Sequence, residues 1–162
     1  MNEYDSEVIS GILKKSGFLS TNNAKEAGII LVNTCSVRQH AEQRACSKIA
    51  EYNNLRKKNK NLILCVCGCL AESEAENFVN KIPGINIIVG PNYIRNIDKY
   101  IDMVLKNGNI IVATGDLKQD WNRDNTISHK NKNKAWVAIN KGCNSFCSYC
   151  IVPYVRGREE SK

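Results

Sequence analysis

Apolar positions along the first 114 residues switch repeatedly between two periods, and this predicts a chain of alternating helices and strands. Val8, Ile9, Ile12 and Leu13 fall on one helical face, and Gly17 stands where a C-cap is expected. Ile29 to Val32 is an unbroken apolar run, as expected of a parallel strand covered on both faces. A polar-rich helix is predicted from Val37 to about Lys58, burying Ala41, Ala45, Ile49 and Tyr52. Leu62 to Cys67 reads as the next strand, and Ala71 to Ile82 as a helix stopped by Pro83-Gly84. Ile85 to Val89 is a further strand, followed by a helix burying Ile94, Ile97, Ile101 and Leu105, and Ile110 to Thr114 closes the series. The fold class predicted is α/β, with a doubly wound parallel sheet.

The pattern then breaks. Asp116 to Lys134 is rich in Asn, Lys and Asp and reads as a linker, with Trp121 as its one packed anchor. Ala135 to Ile139 alternates like a new strand and runs straight into a group of cysteines. The predicted organisation is therefore a first domain over 1–115, a linker over 116–134 and the start of a second domain over 135–162. No strand precedes the first helix, and twelve residues follow Cys150, so both domains are expected to be incomplete.

Composition narrows the classes. A hydrophobic share of 43% supports a real core and argues against wholesale disorder. The surplus of 23 Lys and Arg over 16 Asp and Glu gives +7, which suits a polyanionic partner but is equally explained by solubility. No stretch approaches the ~18 apolar residues of a membrane span, and polar, acidic Met1 to Ser10 lacks a signal-peptide core. Eight cysteines in such a chain read as metal ligands or catalytic thiols rather than disulfides. A Ser/His/Asp arrangement, a Gly-rich phosphate loop and paired catalytic carboxylates are not apparent.

Cys143, Cys147 and Cys150 form a C-x3-C-x2-C triplet. Three thiolates this close can hold three irons of a [4Fe–4S] cube and leave the fourth iron open for another ligand, whereas an electron carrier uses four. Zinc favours paired C-x2-C knuckles, and the triplet has no second knuckle. Cys35 and Cys69 each follow a predicted strand, so both should reach the carboxyl edge of the sheet, just ahead of a helix N-terminus that favours thiolate. Two thiolates do not complete such a cube; strand–helix logic puts the third just upstream of Met1. Cys46, Cys65 and Cys67 read as small buried hydrophobes. The basic runs Arg56 to Lys60 and Lys130 to Lys134 are explained more simply as solvated than as phosphate contacts. His40 reads as a surface helix residue and His129 as a linker residue.

Asn33-Thr34-Cys35-Ser36-Val37-Arg38, Gly68-Cys69-Leu70-Ala71 and Gly142 through Arg158 together resemble the radical S-adenosylmethionine (SAM) methylthiotransferases. The closest branch is the one acting on isopentenylated adenosine in tRNA, and the likeness spans nearly the whole chain. It implies an N-terminal methylthiotransferase domain whose auxiliary [4Fe–4S] cluster is held by Cys35, Cys69 and a third cysteine missing here. A radical-SAM domain with a partial TIM-type barrel would follow, its [4Fe–4S] cluster on Cys143, Cys147 and Cys150. Tyr149 takes the position that meets the adenine of SAM, and Arg156 and Arg158 become candidates for binding SAM or substrate. Arg38 and Arg44, flanking a cluster loop, are candidates for RNA or SAM. Lys162 stands where the family usually has Arg.

The activity implied is methylthiolation of adenine C2 beside the anticodon, using two SAM molecules. One methylates a sulfur on the auxiliary cluster; the other is cleaved reductively to a radical that takes the C2 hydrogen. The implied partners are tRNA and an electron donor such as flavodoxin or ferredoxin, for a cytoplasmic monomer with no membrane contact. Competing readings are action on threonylcarbamoyl-adenosine in tRNA or on a ribosomal-protein aspartate, an iron–sulfur electron-transfer module without SAM chemistry, and an inert fragment. With so much of the family pattern missing, this chain is expected to be inactive alone.

Overall fold

A computed structural model describes residues 2–116, 127–129 and 133–161. The first part is an α/β unit whose four strands run β1 (Ile29–Thr34), β2 (Ile63–Gly68), β3 (Ile87–Val89) and β4 (Ile111–Ala113). They pair parallel in the order β1-β2-β3-β4, without the reversal of order that creates a switch point. Register sets Thr34 beside Gly68, Cys67 beside Val89 and Val89 beside Ala113, so all four strands end along one edge.

Helices cover both faces, as a doubly wound sheet requires. On one face α1 (Asn2–Lys15) and α5 (Ile97–Asn107) pack Val8, Ile9, Ile12, Ile97 and Ile101 against Ile63, Cys65, Ile87 and Val89. On the other, α2 (Gln39–Lys58), α3 (Cys69–Ser73) and α4 (Ala75–Lys81) bring Ile49, Leu70 and Phe78 onto Ile30, Leu64, Val66 and Ile88. β2 is buried at all six positions because it lies inside the sheet, so its apolar run needs no alternation. β1 lies at the edge of the described sheet, and Ile29, Leu31 and Val32 are only half-buried, short of the two-sided cover expected. Along that edge, Ile9, Leu13, Phe18, Ile29 and Leu31 line a groove of about 1030 Å³.

Other expectations need correction. The helix predicted over Ala71 to Ile82 is two, because the Ser73 hydroxyl donates back to the Cys69 and Leu70 carbonyls and the chain turns at Glu74. The helix expected from Val37 begins at Gln39. Ile49 is its fully buried anchor, whereas Ala41, Ala45 and Tyr52 are half-buried. Ile94 sits in a 3₁₀ turn, Pro91–Asn96, ahead of α5, and Val104 rather than Leu105 continues the buried stripe. Leu105 is 62% exposed, since at about 100° per residue Val104 falls within about 20° of Ile97 whereas Leu105 falls about 80° away, at the margin of the Ile97, Ile101 and Val104 stripe. Cys65 and Cys67 are fully buried as expected, but Cys46 lies on the exposed side of α2.

The segment before the triplet also departs from its pattern. Ala135 to Ile139 forms no strand, since no ladder partner runs beside it among the described residues; Ala138 alone is buried and Val137 and Ile139 stand in solvent. Pairing is confined to β5 (Asn140–Lys141) with β6 (Glu160–Ser161), and it is antiparallel. Between them lie the triplet loop and the short helix α6 (Val152–Arg156). Trp121 and Lys130 to Lys132 lie outside the described residues. Of the linker, residues 127–129 are laid against α1: Ile127 packs on the core, the Ser128 amide donates to the Glu7 carbonyl, and His129 Nδ1 is 3.0 Å from Glu7 Oε2.

Candidate functional site

Cys35 and Cys69 each stand one residue beyond the paired Thr34 and Gly68, so the sheet's register puts both at its carboxyl edge. Thr34 fixes the two turns together. Its buried hydroxyl donates to the Cys67 carbonyl at 2.6 Å and accepts from the Ala71 amide at 3.4 Å. Asn33 clips the same loop to α1 by donating to the Asn2 carbonyl and Ser6 Oγ, while the Asn2 amide side chain donates to the Thr34 carbonyl. Gly68 turns the chain with φ 98° and ψ −163°, and its Cα lies so close to Thr34 that an added Cβ would be 2.3 Å from the Thr34 oxygen.

The electrostatics of Cys69 differ from the helix-terminus expectation. Burial pushes its thiol up, and Arg156 pulls the other way through its charge and a hydrogen bond. Arg156 Nε donates to Cys69 Sγ at 3.2 Å and Nη2 pairs with Asp5 Oδ2 at 2.6 Å, with both charged side chains buried. Burial by itself would lower the Arg156 pKa, but Asp5 and Cys69 outweigh it and hold the guanidinium charged. The cation opposite Cys69 is therefore a side chain delivered by α6, not the dipole of five-residue α3. Cys69 does open α3 as expected, whereas Cys35 is separated from α2 by Ser36, Val37 and Arg38 and does not sit at a helix start.

Four buried polar atoms at this edge find no hydrogen-bond partner among the described residues: Asn33 Oδ1, Ser36 Oγ, Glu72 Oε2 and Asn92 Oδ1. Burying an oxygen without a partner costs about 1–3 kcal/mol; two of the four, Asn33 Oδ1 and Glu72 Oε2, lie in the space left by the missing side chains of Gly68 and Gly90. Glu72 accepts from the Gly115 amide through Oε1, and burial raises its carboxyl above the ordinary range. Gly90 leaves the space that Glu72 fills, and Asn92 donates to the Gly115 carbonyl.

The triplet forms a second locus. Cys143 is tied down by its backbone N–H, which donates to the Gly157 carbonyl, and the Cys150 N–H donates to the Cys147 carbonyl to close one turn. A backbone hydrogen bond from Ser145 lowers the Cys143 thiol pKa. Phe146 adopts φ 45°, sets its ring edge-on to Tyr154 and lies under the Arg158 guanidinium at 5.3 Å. Tyr149 is 90% exposed beside Cys150. Arg38 and Arg44 are exposed at the start of α2, and Arg44 donates to the His40 carbonyl.

Among the described residues, no three His, Cys, Asp or Glu side chains converge closely enough to hold a metal ion. The triplet's thiols share one loop without closing on a common point. Their chemistry still suits a sulfur-ligated iron cluster, being thiols only with no imidazole or carboxylate among them. Asp5, Thr34, Glu72 and Asn92 received no role from sequence. Asp5 alone carried a signal, as an acid on the same helical stripe as Val8, Ile9 and Ile12.

Residues 1–90 match the model of a family described as uncharacterized protein family UPF0004. The chain belongs to this family. The UPF0004 match takes in Cys35, Cys69 and the sheet through β3, and stops short of the triplet. Curated relatives align along the whole chain. A protein of Clostridium novyi (strain NT) is 43% identical over 164 aligned positions, and one of Clostridium botulinum (strain Loch Maree / Type A3) is 41% identical. One of Dictyoglomus thermophilum is 38% identical over 163. Each is named tRNA-2-methylthio-N(6)-dimethylallyladenosine synthase. The chain spans only 36–37% of the length of these relatives. No helix among the described residues is long and apolar enough to cross a membrane.

Proposed function

We propose that this chain serves tRNA methylthiolation, as the opening part of an enzyme that places a methylthio group on C2 of N6-isopentenyladenosine beside the anticodon. The supporting observation is the pairing of two separated cysteine loci in one molecule: Cys35 and Cys69 set side by side by register, and a thiol triplet whose following helix reaches back to Cys69. Identity to methylthiolating relatives along the full chain points the same way. In this reading 1–115 is the methylthiotransferase domain, 116–134 the linker and 135–162 the beginning of a radical-SAM barrel.

Cys143, Cys147 and Cys150 would hold one [4Fe–4S] cluster, and Cys35 and Cys69 would contribute to a second. When bound at the triplet, the cluster supplies the single electron that cleaves the sulfonium of SAM. The chain's own residues do the placing. Thr34 and Gly68 lock the two strand-edge thiols into one register, and burial of Cys69 keeps water from its sulfur. Phe146, edge-on to Tyr154 and under the Arg158 guanidinium, shapes the triplet loop and leaves the exposed Tyr149 ring free to meet a nucleobase.

Anaerobic reconstitution with iron and sulfide tests this. No more than one stable [4Fe–4S] cluster per chain is expected, because the strand edge offers two thiols. After one-electron reduction with dithionite, its electron paramagnetic resonance signal should change when SAM is added, and Cys147→Ala should abolish both cluster and response. Two intact cubes per chain, or one cluster indifferent to SAM, would overturn the assignment.

A further inference from the structure

We infer that Arg156 is a positioning residue that links occupancy of the strand-edge thiol site to docking of the segment carrying the triplet. One guanidinium makes both contacts: Nε to Cys69 Sγ at 3.2 Å and Nη2 to Asp5 Oδ2 at 2.6 Å. The two acceptors belong to the N-terminal sheet unit, in the first turns of α3 and α1, and the donor ends α6, 87 residues beyond Cys69. Beside it Val155 and Pro153 are buried, so α6 lies on the sheet unit with Arg156 as its polar core.

The linkage follows from acceptor strength. A metal-bound sulfur carries more negative charge than a thiol and accepts a stronger hydrogen bond from a guanidinium. Loading Cys69 therefore tightens the grip on Arg156 and holds α6, with the triplet loop that precedes it, against the sheet. Reciprocity requires that a docked α6 favour the loaded state of Cys69 by the same factor. Asp5 anchors the guanidinium separately, through Nη2 at 2.6 Å, and so holds Nε aimed at Cys69. This rests on the reading of Cys35 and Cys69 as metal ligands, but the docking contact itself does not.

Hydrogen exchange of the α6 amides, followed by mass spectrometry on this chain without metal, tests the docking. Arg156→Gln and Asp5→Asn should each speed α6 exchange by about tenfold, within the usual range of such couplings. Cys69→Ala should do so too, while Cys69→Ser keeps an acceptor and stays near the parent rate. Serine failing to rescue, or Arg156→Gln leaving exchange unchanged, would overturn the inference. The linkage is read with cadmium(II) in a background where Cys143, Cys147 and Cys150 are alanine. The sulfur-to-cadmium absorption band reports loading, and loading should slow α6 exchange in that background but not with Arg156→Gln added. Equal slowing in both refutes the linkage. If no band appears, the strand edge is not a metal site and the linkage falls with it, while the serine and alanine comparison still decides whether Arg156 docks α6 through Cys69.

Discussion

Replacing Gly68 by alanine should damage the fold more than its position at a strand end suggests. Gly68 occupies φ 98° and ψ −163°, a region that residues with a side chain enter at a cost of about 1–3 kcal/mol. A Cβ there would also meet the Thr34 carbonyl oxygen at 2.3 Å, and that atom is backbone. The loop must therefore move, at the expense of the Asn2 bond to that oxygen and the 2.6 Å bond from the Thr34 hydroxyl to the Cys67 carbonyl. Each such bond contributes about 0.5–1.5 kcal/mol. The expected loss is about 2–6 kcal/mol, a large share of the roughly 5–15 kcal/mol that holds a typical domain. Urea denaturation followed by far-ultraviolet circular dichroism should show the midpoint falling with the slope unchanged. Gly17→Ala is the control: Gly17 also has positive φ, at 87°, but nothing lies within 4 Å of an added Cβ, so it bears the backbone term alone. If both variants lose the same stability, the close approach to Thr34 does not matter and the register argument for Cys35 and Cys69 is wrong.

Glu72→Gln should flatten the pH dependence of stability. Burial raises the folded-state carboxyl, so the folded chain holds a proton that the unfolded chain has released, and Glu72 makes stability fall as pH rises through and above the ordinary carboxylate range; denaturation midpoints between about pH 4 and 7 should keep the parent's slope in the variant if this is mistaken. Alkylation with iodoacetamide under native conditions, read by mass spectrometry, should label Cys143 and exposed Cys147 first, Cys143 aided by its lowered pKa, with exposed Cys46 behind them because partial burial and then Glu42 raise its thiol. Cys65 and Cys67, both buried and with thiols pushed well up by desolvation, should react more than about tenfold slower until the chain is unfolded; comparable native rates would contradict the described core.

Most of the sheet was legible because each strand is written in one kind of residue. β2 reads as Ile63-Leu64-Cys65-Val66-Cys67, a run that only a two-sided burial explains, and it occupies the interior of the sheet. The reading weakened wherever structure depends on a neighbour rather than on period. Val137 and Ile139 carry a strand's alternation, yet among the described residues no strand beside them supplies hydrogen bonds, and they are exposed. Ser73 splits a helix by returning its hydroxyl to two carbonyls, and neither Gly nor Pro marks the place. Cys46 was assigned to the interior by residue type alone, but α2 presents that position to solvent.

The site divides along the same line. Strand ends are one-dimensional facts, so the placement of Cys35 and Cys69 at one edge followed from sequence, and register then made it exact to the residue. The charge that faces Cys69 is a different matter. A thiol close behind a strand suggested a helix dipole, the only cation that local sequence can supply. The structure instead supplies a guanidinium from 87 positions away and anchors it on an acid in the first helix. Contacts between distant segments leave one trace in sequence: a charged residue standing in an apolar stripe, as Asp5 does ahead of Val8, Ile9 and Ile12. Such a residue must be paired if it is buried, because an isolated buried charge is too costly to keep. Asp5 therefore announced that a cation would arrive, and only the fold could say that it would come from the helix beyond the triplet and touch a cysteine on the way.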